Sequence, residues 1–265
     1  MKKLTDNDGN GLEETRFRVR LAGLVIDIHA LHQGVRRLCE DYLAKYDDVA
    51  AADLVVSMSQ ETIDAERAIA TEGHRWTDSY LETLAVLRSI ANELPQRNRM
   101  LVHGAVVQYA GKAYLFMAPS GTGKSTHIML WRQYLGAGVH VVNGDKPFVR
   151  IPVAADDPPV AYGTPWAGKE GWQENASAPL AGIVLISRSD VGASSICRIE
   201  PAVCLDKVVR QVYLPGDACA AGNTLDLLDA LVSRVPLFSL ACDMSEDAVR
   251  TSFEALTGLS YRPAI

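Results

Sequence analysis

One stretch constrains this chain more than any other. Ala118-Pro119-Ser120-Gly121-Thr122-Gly123-Lys124-Ser125-Thr126 fits the Walker A pattern, with alanine in place of its first glycine. Glycines at these spacings let successive backbone N–H groups turn inward around phosphate oxygens. The lysine reaches the β- and γ-phosphates, and the hydroxyl that follows it ligates Mg²⁺. Such a loop works only between a strand and a helix, because the helix N-terminus supplies further free N–H groups and a favourable dipole. The flanks agree. Ala113 to Met117 is a continuous apolar run, as expected of a buried strand, and Ile128, Trp131 and Leu135 recur at helical spacing after the loop. The blander alternative is an ordinary glycine-rich turn, and it leaves these coincidences unexplained. The loop residues Ser120, Gly121, Thr122, Gly123, Lys124, Ser125 and Thr126 are therefore assigned to ATP binding, with Ser125 on the metal.

The rest of the chain alternates strand and helix patterns, which predicts an α/β protein. Residues 1–14 are polar and glycine-containing and are expected to be loose. Phe17, Val19 and Leu21 then alternate with Arg16, Arg18 and Arg20, the period of a half-buried strand. After a turn at Ala22-Gly23 comes a second strand over Leu24 to Ile28, followed by Leu31, Val35, Leu38 and Tyr42 at helical spacing. A short strand is expected over Leu54 to Met58, and Leu81 to Leu94 predicts a helix that stops at Pro95. The polar stretch Pro95 to Arg99 is the best boundary, dividing a smaller α+β region (1–98) from the nucleotide-binding part (99–265). Pattern alone leaves open whether the first region folds by itself. Beyond the boundary, strands are expected over Leu101 to Tyr109, Val139 to Val142 and Gly182 to Ile186. Helices are expected over Pro201 to Val212 and Thr224 to Val235, and a last one is capped by Asp243 or Ser245 and ended by Gly258.

At 265 residues and 48% hydrophobic, the chain can bury one large core or two modest ones. A net charge of -6 gives no global support to nucleic-acid binding. Cys39, Cys197, Cys204, Cys219 and Cys242 include no C-x₂-C pair, so they read as reduced, buried thiols rather than zinc ligands. No apolar run follows the N-terminal lysines and none reaches membrane-spanning length, so a cytoplasmic protein without a membrane partner is expected.

No NKxD-like tetrad or LSGGQ-like signature accompanies the loop. Instead His103-Gly104 precedes it, and Asn143-Gly144-Asp145-Lys146-Pro147 follows, with Asp145 lying 21 residues after Lys124. In this order the three segments resemble the catalytic domain of HPr kinase/phosphorylase and the nucleotide domain of phosphoenolpyruvate carboxykinases. Tyr162 to Lys169, with Asn175 and Ala178-Pro179-Leu180, is similar to bacterial HPr-kinase-like proteins whose substrates are mostly unassigned. The resemblance covers roughly residues 100 to 190. It implies a carboxykinase-like P-loop domain with a mixed sheet, using ATP and Mg²⁺.

Carried over by position, the resemblance implies that His103 sits beside the metal or the transferred phosphoryl group. Asp145 matches the second of the family's paired aspartates, which bind metal or take the proton of the attacking hydroxyl. Gly144 stands where the first aspartate would be, and the LExRGxG-type strip of true HPr kinases is absent. The implied activity is transfer of the γ-phosphate to a serine-type hydroxyl on a peptide, a protein or a small molecule. A non-catalytic ATP-binding regulator or maturation partner is the alternative, followed by a carboxykinase-like lyase. The family includes hexamers, which leaves a homo-oligomer open. Blander readings stand beside each residue: His103 as a satisfied strand histidine, Asp145 as a turn residue, Lys169 as a solvated loop lysine, and Trp166 and Trp172 as loop packing rather than a substrate lip. His127 is read as structural.

Overall fold

The alternating arginines and apolar residues at the start of the described chain form one strand of a tight hairpin. Strand β1 (Thr15–Leu21) pairs antiparallel with β2 (Leu24–Ala30), and both turn residues, Ala22 (φ 50) and Gly23 (φ 76), have the positive φ that a two-residue hairpin turn requires. Arg18 is the exception to the alternation: it is buried, and its guanidinium donates to both carboxylate oxygens of Asp27 across the pair, Nη2 to Oδ2 at 2.9 Å. The computed structural model describes residues 15–44, 51–70, 75–189 and 192–264; residues 1–14, expected to be loose, lie outside them.

Strand β3 (Leu54–Ser57) joins β2 in parallel, completing a three-stranded sheet. Helices α1 (Gln33–Leu38), α2 (Gln60–Ile69) and α3 (Asp78–Glu93) pack with it. The helix expected from Leu31 to Tyr42 is shorter than its spacing suggests, a single α turn followed by a 3₁₀ turn over Glu40–Tyr42. The fully buried carboxylate of Glu82 on α3 supplies the cap that α1 lacks. It accepts the backbone N–H groups of Leu31 and His32, the latter at 2.9 Å. Helix α2, which hydrophobic spacing did not reveal, starts from a capping box formed by Ser59 and Thr62.

The larger sheet has nine strands. Its centre is β10 (Ser177–Arg188), which pairs in parallel with β6 (Lys112–Met117) on one side and β12 (Leu237–Cys242) on the other. Beyond β6 lie β5 (Ala105–Tyr109) and β7 (Val139–Asn143), both antiparallel; beyond β12 lies β11 (Ser195–Ile199). The first residues of β10 instead join β9 (Val160–Tyr162), β8 (Phe148–Arg150) and β4 (Arg99–Leu101) in an antiparallel branch. This is a mixed α/β architecture.

Alternating strand residues feed two cores. Leu115, Met117, Ile183 and Leu185 face α5 (Pro201–Val209) and α6 (Ala218–Arg234). Tyr114, Phe116, Val184 and Ile186 face α4 (Lys124–Leu135) and α7 (Glu246–Thr257), around a Trp131 that is wholly out of solvent. Covering both faces explains why the central strands are continuous apolar runs. Gly258 ends α7 at φ 69, and the buried His127 is held by Ser252 Oγ at 3.1 Å.

Three further expectations are corrected. Leu101 to Tyr109 is two strands, because Val102 bridges Val212 and the His103 and Gly104 amides turn to the carbonyls of Gln211 and Asp145. For the same reason α5 ends at Val209, where the chain leaves to meet Val102. Cys197 and Cys219 are exposed, while Cys39, Cys204 and Cys242 are buried. The region before Arg99 shares one core with the region after it: Phe17, Ile28 and Ile90 belong to the same cluster as Leu101, Phe148 and Trp166.

Candidate active site

The Walker A segment forms the turn between β6 and α4 that its sequence requires. Gly121 (φ 78) and Gly123 (φ 117) both lie in the left-handed region, so a side chain at either position would strain the loop. The Thr122 N–H turns to Pro119 O at 3.2 Å, whereas the amides of Gly121 and Gly123 have no acceptor among the described residues. Ser120 and Gly121 are exposed, Thr122, Gly123, Ser125 and Thr126 half-buried, and Lys124 only 8% exposed. Burial lowers the pKa of Lys124, a shift that the charge of Asp145 opposes.

Three residues far apart in sequence meet beside this loop. His103 Nε2 lies 3.1 Å from Lys124 Nζ and 3.2 Å from Asp145 Oδ1. Lys146 Nζ donates to the other carboxylate oxygen of Asp145 at 3.0 Å. The β4–β5 break delivers His103 to this point, and the Gly104 N–H anchors it on Asp145 O at 3.0 Å. A Cβ at Gly104 would lie 2.7 Å from Leu115 Cδ1 and 3.0 Å from Phe116 O, a close crossing that favours glycine. Asp145 is held from behind by Asn143, whose Oδ1 accepts the N–H groups of Asp145 (2.8 Å) and Lys146 (2.7 Å). Asn143 Nδ2 donates in turn to Thr164 O at 3.0 Å. Burial works against ionisation of Asp145, but hydrogen bonds and charge from His103 and Lys146 outweigh it and hold its pKa at about 2. Asp145 is thus a carboxylate at neutral pH.

The segment 163–174 lies over these residues, and it explains the glycine at 144. A Cβ there would come within 2.9 Å of Ala167 O and 3.4 Å of Trp172 O, so the space a side chain at 144 would occupy is filled by backbone. Gly168 passes just as closely, with a Cβ there 3.0 Å from that of Asp145. The segment and the residue after it are tied to the first region: Trp166 Nε1 donates to Thr83 O (2.9 Å), Tyr42 Oη to Glu174 O (3.2 Å), and Asn175 Nδ2 to Asp41 O (2.8 Å). Trp166 is buried packing rather than a substrate lip, and Trp172 lies beneath the guanidinium of Arg132 at 5.3 Å. Lys169 is exposed. Arg188, which no motif singled out, donates to Gly121 O at 2.8 Å. Only the parallel β6–β10 pairing could have revealed it, by placing its strand end beside the loop.

Ser125 and Asp145 offer a hydroxyl and an ionised carboxylate oxygen, hard donors of the kind Mg²⁺ takes together with waters and phosphate oxygens. The chemistry of the pair fits that ion. Among the described residues no helix is long and apolar enough to cross a membrane.

No protein-family model matches this chain, and no curated protein matches it. Among solved structures it is similar to the Hpr(Ser) kinase/phosphatase from Coxiella burnetii, at 9% identity and a TM-score of 0.34, over 60% of this chain and 88% of that one. A likeness this slight carries no argument about activity.

Proposed function

We propose that this chain is an ATP-dependent kinase with a P-loop domain of the HPr kinase and phosphoenolpyruvate carboxykinase type, passing the γ-phosphate to a serine-type hydroxyl. The observation that carries this reading is the meeting of Lys124, His103 and Asp145 within 3.1 and 3.2 Å, beside a glycine loop with unpaired amides. Phosphoryl transfer needs positioning and charge neutralisation more than covalent chemistry. The loop amides and Lys124 would hold the phosphates, while Asp145, already ionised, would orient the attacking hydroxyl and accept its proton. His103 would fix the carboxylate's orientation. Mg²⁺, held by Ser125 and Asp145, would neutralise charge on the β- and γ-phosphates. The acceptor is a peptide, protein or small molecule bearing a hydroxyl, and nucleic acid is not among the proposed partners.

Gly144 favours a second reading, a nucleotide-binding regulator without turnover, because one carboxylate of the family pair is missing and its space is filled. Incubation with γ-labelled ATP and Mg²⁺ against free serine, threonine and a serine-peptide library separates the two. Label on an acceptor, abolished by Lys124→Ala, supports the kinase; tight ATP binding with no labelled acceptor supports the regulator.

A further inference from the structure

Arg188 ends β10 with its backbone still in register with Cys242 of β12. The neighbouring ladder between β10 and β6 runs as far as Leu185 opposite Met117. Both strands therefore run out on the same side of the sheet, the side where open α/β sheets bind ligands. From there Arg188 reaches sideways, and Nη2 donates to the carbonyl of Gly121 at 2.8 Å. Among the described residues the guanidinium makes no other hydrogen bond and no ion pair, and it is exposed. A guanidinium carries five N–H donors, so an always-charged group stands beside the glycine loop with most of its donors free and, among the described residues, no carboxylate paired with it.

Where it stands on the loop matters. Amides at the start of a P-loop helix receive the α- and β-phosphates, and here that helix begins at Lys124. Gly121 lies three residues before that helix, so a cation bound to its carbonyl stands ahead of the amides that take the α- and β-phosphates. We infer that Arg188 is a second phosphate-binding cation alongside Lys124, and that it discriminates a nucleoside triphosphate from a diphosphate by binding the γ-phosphate. This rests on the nucleotide-binding reading of the loop. Gly121 O occupies one donor. With a triphosphate bound, the free donors engage the terminal oxygens in the bidentate manner that suits arginine and not lysine.

The test measures ATP and ADP affinity by titration calorimetry, with Mg²⁺, for the full chain and for Arg188→Gln and Arg188→Lys, each checked by thermal unfolding. The expected result is a loss of about tenfold or more in ATP affinity for Arg188→Gln, ADP affinity within about threefold of the parent, and partial recovery in Arg188→Lys. Equal weakening of both nucleotides, or unchanged affinity for both, overturns the inference while leaving nucleotide binding intact. A parent chain that binds neither nucleotide overturns it together with the reading on which it rests.

Discussion

Nε2 of His103 lies 3.1 Å from Nζ of Lys124, and the same nitrogen lies 3.2 Å from Oδ1 of Asp145. One ring nitrogen cannot accept from the lysine and donate to the carboxylate at once. Drawing Lys124 toward phosphate would remove that conflict and leave His103 free to donate to Asp145. Replacement of His103 by alanine is thus expected to lower transfer by about 10- to 100-fold with ATP affinity nearly unchanged. Steady-state kinetics beside calorimetry check this; an equal fall in both would mean that His103 serves binding instead.

An aspartate at position 144 should not be tolerated. In Gly144→Asp the new Cβ would press on Ala167 O and Trp172 O, and overpacking of this kind costs about 1–3 kcal/mol. Urea denaturation is expected to show a lower midpoint with no rise in transfer. A variant as stable as the parent would contradict the packing described around residue 144.

The two regions share a core through Leu101, Phe148 and Trp166. A fragment of residues 99–265 would leave Phe148 and Trp166 uncovered, and exposed apolar surface of this kind promotes aggregation. Such a fragment is expected to unfold at a lower temperature than the full chain and to aggregate, by scattering and tryptophan emission. Cooperative unfolding of the fragment at the temperature of the full chain would show that its partner is dispensable.

Thiol chemistry should divide the cysteines two to three. Exposed Cys197 and Cys219 are expected to react with Ellman's reagent in the native state, while buried Cys39, Cys204 and Cys242 react only on unfolding. Burial pushes Cys39 up to about 12, above its unfolded value of about 8.5. Its contribution to stability is therefore complete below the unfolded pKa and is lost as pH rises toward the folded one. Cys39→Ala should flatten the fall in stability between pH 8 and 10.5, measured as an unfolding midpoint against pH; an unchanged slope would contradict this.

How legible this was in the sequence varied with the range of the interactions. The P-loop was readable because local backbone conformation dictates its glycines, lysine and flanks. Glu82, by contrast, caps α1 from 50 residues away, so a six-residue helix with no cap of its own looked longer than it is. The division of residues 101–109 into two strands depends on Gln211 and Asp145, which bind the amides of His103 and Gly104 and follow from no periodicity. Candidate residues Lys124, His103 and Asp145 were recognised from their order. That segment 163–174 fills the space beside Gly144, and that Arg188 reaches Gly121, became visible only through tertiary packing and strand adjacency.

Asp145 is proposed to act in transfer itself, beyond its share in holding Mg²⁺. The most direct test is Asp145→Asn, assayed in parallel for ATP affinity by calorimetry and for label transfer to the acceptor found by screening. Affinity within a few-fold of the parent, with transfer reduced by about 10²-fold or more, is the predicted result. Undiminished transfer in the asparagine variant would contradict it.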